Sequence, residues 1–113
     1  MRPIYKICAR DEWKAAEASG AYKGSDLDRR DGFIHFSDPA HVRRTAQLHF
    51  AGRSDLVPVT VDADRLDPPP VWEPSRGGVL FPHLYGLLPL SAVTEVRPLE
   101  VDAEASALAD IGQ

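Results

Sequence analysis

The densest group of chemically capable side chains is the run Asp31-Gly32-Phe33-Ile34-His35-Phe36-Ser37. In an extended segment successive side chains alternate between faces, so Phe33, His35 and Ser37 share one face while Ile34 and Phe36 share the other. Ile34 and Phe36 are the natural core pair. That leaves an imidazole and a hydroxyl side by side, just ahead of a predicted helix. A helix N-terminus presents unpaired N–H groups and a positive dipole end, which suits phosphate or carboxylate. His35 can bind a ribose hydroxyl or phosphate there, with Ser37 as a second donor. The competing assignment makes His35 a hydrogen-bonded, half-buried residue and Ser37 a helix cap; spacing leaves both open.

A second group is Phe81-Pro82-His83-Leu84-Tyr85-Gly86. His83 and Tyr85 share a face if the segment is extended. Tyr85 can then stack on a ring or donate its hydroxyl in a pocket wall, while the plainer role for His83 is to satisfy a backbone carbonyl. The third group is Trp72-Glu73-Pro74. A carboxylate against aromatic surface is expected to have its neutral form favoured by desolvation, a common way of tuning acid/base groups. Glu73 can alternatively hydrogen-bond sugar hydroxyls, stabilise a cationic transition state, or form a surface salt bridge.

Other chemistries lack their residues. The chain contains no Gly-x-Gly-x-x-Gly, P-loop or Gly-x-Ser-x-Gly pattern, so the ordinary phosphate cradles are missing and Ser37 is not a hydrolase nucleophile. Its four histidines include no i, i+4 pair, and no metal is expected. The single cysteine, Cys8, excludes an internal disulfide and reads as a small buried hydrophobe.

The elements that must position these groups are short. Ten prolines and eight glycines divide the chain, with a stiff extended connector at Asp67-Pro68-Pro69-Pro70. Ile4 to Ala9 reads as a first strand, followed by a helix capped by Asp11 and stopped by Gly20. Ala21 to Arg30 is polar and turn-rich. Gly32 to Ser37 reads as a strand. Ser37 or Asp38 then caps a second helix, with Pro39 in its first turn, Val42, Ala46 and Phe50 as its apolar stripe, and Gly52 at its end. Leu56 to Val61 is the best buried strand; Val71 to Glu73, His83 to Tyr85 and Val93 to Val101 supply further extended pieces. Two helices in the N-terminal half and strands thereafter predict an α+β fold around a small split or bent β-sheet.

At 113 residues, 43% hydrophobic and 27% charged, the chain has room for one core. A single domain is expected over residues 1–100, with an acidic tail over 101–113. No apolar run reaches the ~20 residues of a membrane helix, and the N-terminus lacks a signal-peptide pattern, so the cytoplasm is the expected location. Residues 1–57 carry ten Lys or Arg against eight Asp or Glu, and residues 58–113 three against nine. An overall charge of −4 argues against general binding to nucleic-acid backbones, while the upstream basic excess suits a small anionic ligand.

The strings IYKI, EW, Gly20-Ala21-Tyr22, DGFIHFS, LVPVTVD, Trp72-Glu73-Pro74 and FPHLYGLL, in that order, resemble the bacterial family of unknown function DUF952 over about residues 3–99. The resemblance implies an ADP-ribosyltransferase-like fold, with a nicotinamide-dinucleotide cleft between two half-sheets and one site residue from each of three strands. Those positions here are Lys6, His35 and Glu73. His35 with Ser37 resembles the second motif of RNA 2′-phosphotransferases, and Glu73 is similar in placement to a glutamate that helps form an oxocarbenium-like ribosyl cation. The family often has histidine where this chain has Lys6, which points Lys6 toward a phosphate. The expected function is therefore a nucleotide-cleft protein that transfers or cleaves ADP-ribose from NAD. Glu73 and His35 would be catalytic, and Lys6, His35, Ser37, Tyr85 and His83 would bind the dinucleotide. The alternatives are a non-catalytic module for a nucleotide or phosphorylated metabolite, and a structural, partner-binding domain.

Overall fold

The structure, a computed structural model, describes residues 1–96, the side chain of Arg76 excepted. In chain order it comprises β1 (Pro3–Ala9), α1 (Arg10–Ser19), β2 (Ala21–Tyr22), α2 (Asp26–Asp31), β3 (Ile34–His35), α3 (Val42–His49), β4 (Leu56–Asp62), β5 (Val71–Pro74), β6 (Leu80–Leu84), β7 (Leu88–Pro89) and β8 (Val93–Val96). Single 3-10 turns follow β4, β5 and β7. The expected tail at 101–113, and the part of the last predicted strand beyond Val96, lie outside the described residues.

The fold is α+β, with every strand pairing antiparallel. One sheet has the order β1-β4-β8, a second β3-β6-β5, and β2 pairs with β7 alone. The two larger sheets meet at one bridge, where Tyr5 and Ser37 exchange backbone hydrogen bonds of 2.8 and 2.9 Å. The split sheet read from the sequence is thus two sheets hinged at β1 and the chain just after β3. Alternation on β1 places Ile4, Lys6 and Cys8 on the side of the main core and Tyr5 and Ile7 on the other. The main core gathers Ile4, Trp13, Tyr22, Ile34, Phe36, Val59, Val61, Leu84 and Leu88, all buried. A smaller cluster of Ile7, Val42, Ala46 and Leu56 seats α3.

Three helices form among the described residues, not two, and the additional one, α2, lies in the polar stretch read as turns. Its six residues carry no apolar stripe. What starts it is a capping box, in which Ser25 Oγ accepts from the Asp28 N–H and the Asp28 carboxylate accepts from the Ser25 N–H; Gly32, at φ 89°, ends it in the left-handed conformation. Helix α1 stops at Gly20 as expected, but Asp11 does not cap it. The strand runs straight into the helix through Ala9, and Asp11 and Glu12 face the positive dipole end from the first turn. Helix α3 starts later than predicted, and neither Ser37 nor Asp38 is its cap. The Asp38 carboxylate accepts from the N–H of His41, at 2.9 Å, and holds residues 38–41 in a turn that keeps Pro39 outside the helix. The helix closes at Phe50, two residues before Gly52.

Candidate functional site

The sheet β3-β6-β5 sorts its side chains by register. Ile34 pairs with Leu84 and Trp72 with Pro82 on the core face. His35 pairs with His83, and Glu73 with Phe81, on the opposite face. Glu73 and His83 are diagonal neighbours there, within reach of a long side chain. The alternation inferred from the sequence therefore holds on both strands, and the pairing of β3 with β6 brings two distant motifs together. Phe33 packs among them, stacked on the His83 ring at 4.0 Å and 19° and tilted against His35 at 4.6 Å and Tyr85 at 5.3 Å. The two imidazoles stand edge to face, 5.4 Å between centroids.

Asp28, which the sequence reading missed, organises one half of the site. Its side chain is 1% exposed. Oδ1 accepts from Lys6 Nζ (2.9 Å), from the His35 N–H (3.2 Å) and from His35 Nδ1 (2.6 Å). Oδ2 accepts from the Ser25 N–H at 2.9 Å and lies 2.7 Å from Lys6 Nζ. Burial alone would push this carboxyl upward in pKa, but the His35 hydrogen bond and the Lys6 ammonium outweigh it and hold the group well below the usual carboxylate range. Gly24 makes room for this carboxylate: a Cβ there would stand 2.8 Å from Asp28 Cβ, and φ at Gly24 is +98°. The far nitrogen of His35, Nε2, lies 3.1 Å from Asp31 Oδ2, so helix α2 clasps the imidazole at both nitrogens. A capping box followed by a histidine seven residues after its acid is the sequence signal that points to this arrangement.

Glu73 organises the other half. One oxygen, Oε1, accepts from His83 Nδ1 at 2.8 Å and from the Tyr85 hydroxyl at 2.7 Å. Contrary to the expectation from its aromatic setting, its neutral form is disfavoured: the Tyr85 and then the His83 hydrogen bond lower its pKa, and desolvation is secondary. The same bond raises the pKa of Tyr85. His83 does not serve a backbone carbonyl; its partner is this carboxylate, and the residue is only 4% exposed.

A cleft of about 720 Å³ opens where the two sheets diverge, within the range of small-molecule sites. Lys6, His35, Ser37 and His83 line it, so four of the six predicted site residues converge. Asp28, Asp31, Arg30 and Arg53 add charge to the walls, and Tyr5, Phe50 and Phe81 add ring surface. Glu73 and Tyr85 do not line it, and Glu73 reaches it through His83. Ser37 Oγ is 2.9 Å from Thr45 Oγ1, a hydroxyl pair on the same wall. Lys6 is buried on both carboxylate oxygens of Asp28 rather than extended into open space. Cys8 also borders the cleft, but burial pushes its thiol up to about 12, so it stays protonated at neutral pH. Among the described residues no group of three or more His, Cys, Asp or Glu is arranged to hold a metal ion, and no helix is long and apolar enough to cross a membrane.

Three solved structures share this architecture, all of protein CC0527 from Caulobacter crescentus. The X-ray structure is 44% identical at a TM-score of 0.85, covering 95% of this chain and 98% of that one. A double mutant of the same protein gives 43% and 0.84 with the same coverage. The solution NMR structure gives 46% and 0.79 over 93% and 90% of the two chains. No curated protein matches. The family model described as protein of unknown function, DUF952, matches residues 7–96. That span includes β3, β6 and both carboxylate–histidine pairs, and the chain belongs to the DUF952 family.

Proposed function

We propose that the cleft binds a nucleotide of the NAD and ADP-ribose class, with His35 as the residue that meets its ribose or phosphate, and that it cleaves or transfers the ribosyl group. The observation that carries this reading is the fixed imidazole of His35, its side chain 30% exposed, on the wall of a cleft large enough for such a ligand. Asp28 holds the ring at Nδ1, which limits the rotational freedom lost on binding, and Nε2 reaches the ligand by exchanging its 3.1 Å contact with the partly exposed Asp31. Ser37 and Thr45 offer hydroxyls beside it. Lys6 acts through Asp28, neutralising the carboxylate that orients His35. Tyr85 and Glu73 stand behind His83.

A second reading, non-catalytic binding, is favoured by one observation: Glu73, the carboxylate expected to face a ribosyl cation, does not line the cleft. Both readings predict binding. A ligand selective for the native state adds about 2.7 kcal/mol of stability at one hundred times its Kd. Thermal-shift titration with NAD, ADP-ribose, nicotinamide and 2′-phosphorylated nucleotides is therefore expected to raise the wild-type melting temperature with NAD or ADP-ribose. The rise should vanish in His35→Ala. No shift with any of the four, in folded wild-type protein, would overturn the nucleotide assignment.

A further inference from the structure

His83 is buried, yet it contributes to the cleft wall. Its Nδ1 faces Glu73 Oε1, an oxygen of a residue that does not line the cleft. Its other nitrogen, Nε2, has no hydrogen-bond partner among the described residues. Phe33 stacks on one ring face and fixes its plane. An ionised carboxylate only accepts hydrogen bonds, so the Glu73 contact places the proton of the neutral ring on Nδ1 and leaves the Nε2 lone pair free. His35 differs, because both of its nitrogens already face carboxylate oxygens. One imidazole is thus tied at both ends, and its cross-strand neighbour, 5.4 Å away, is tied at one.

We propose that His83 is the proton acceptor of the cleft, activating the nucleophile through Nε2, with Glu73 as the positioning residue that fixes its tautomer. The inference rests on the nucleotide reading and names the group that chemistry at the ribosyl carbon would use. Water attacks C1′ of the nicotinamide-bearing ribose, and a C1′–O bond forms as the C1′–N bond breaks. Nicotinamide leaves neutral with the bonding pair. The proton lost by the attacking water passes to His83 Nε2, and the resulting imidazolium faces the Glu73 carboxylate until solvent takes the proton. The products are ADP-ribose, nicotinamide and one proton.

The experiment pairs NAD binding by thermal shift with nicotinamide release under single-turnover conditions, for wild type, His83→Ala with and without added imidazole, and Glu73→Gln. Wild type is expected to release nicotinamide. His83→Ala should keep the NAD shift, lose about 100-fold or more in rate, and regain rate with imidazole. Glu73→Gln should lose about tenfold or more in rate at unchanged NAD affinity. Equal rates in wild type and His83→Ala would overturn the proposal. Wild type that binds NAD and releases nothing would also overturn it, while leaving the binding site intact. Wild type that binds no NAD would overturn the nucleotide reading itself. Should His83→Ala fail to fold, the partly exposed Glu73 decides, and an unchanged rate in Glu73→Gln overturns the assignment.

Discussion

Replacing Asp28 with asparagine is expected to destabilise the fold by about 3–5 kcal/mol, the cost of removing one partner of a buried ion pair. Both carboxylate oxygens face donors: Lys6 Nζ and two N–H groups of His35 at one, the Ser25 N–H and Lys6 again at the other. An amide NH₂ at either position therefore meets donors, and the Lys6 ammonium is left buried without its counter-charge. Denaturant unfolding measures the loss. The double variant Lys6→Met with Asp28→Leu removes charge on both sides and should be the more stable of the two. Wild-type stability in Asp28→Asn would show that the pair does not hold the site together. The same carboxylate sets an acid limit. Its folded pKa is depressed, so its contribution is complete above the unfolded value, near pH 4, and drains away as pH falls below it.

Truncating Phe36 to alanine is expected to cost about 3–5 kcal/mol, the usual range for deleting a buried aromatic ring. Phe36, just after β3, is 2% exposed in the main core. Its N–H donates to the Pro82 carbonyl at 3.0 Å, and the next residue makes the bridge to β1. The cavity would therefore open where the two sheets hinge, and NAD or ADP-ribose affinity should fall along with stability. A stability loss below about 1 kcal/mol in chemical denaturation would contradict this placement of Phe36.

Period and punctuation carried much of the fold. The alternation in Phe33-Ile34-His35-Phe36-Ser37 separated the core residues Ile34 and Phe36 from His35 and Ser37, the run Leu56-Val57-Pro58-Val59-Thr60-Val61 formed the central strand, and Gly20 ended the first helix. Helix α2 escaped because hydrophobic periodicity needs a stripe, and a six-residue helix held by a capping box, whose one apolar side chain, Leu27, is exposed, has none. With it went Asp28, whose role depends on Lys6 lying 22 positions away. The partnership of Glu73 with His83 was equally hidden, since it arises from the antiparallel register of β5 and β6. Local sequence placed each imidazole on its strand. Which carboxylate each would meet was decided by the pairing of strands and the packing of a short helix.

The cleft carrying His35 and His83 is proposed to receive a nucleotide. Its most direct test follows the imidazole NMR signals of the four histidines while ADP-ribose or NAD is added. His35, His83 and His49 line the cleft; His41 does not, and its ring is held by Asp38 at 2.6 Å. Saturable shifts are expected at His35 and His83, with His41 unmoved. Saturable shifts confined to His41, or no shift at any of the four up to millimolar ligand, would contradict it.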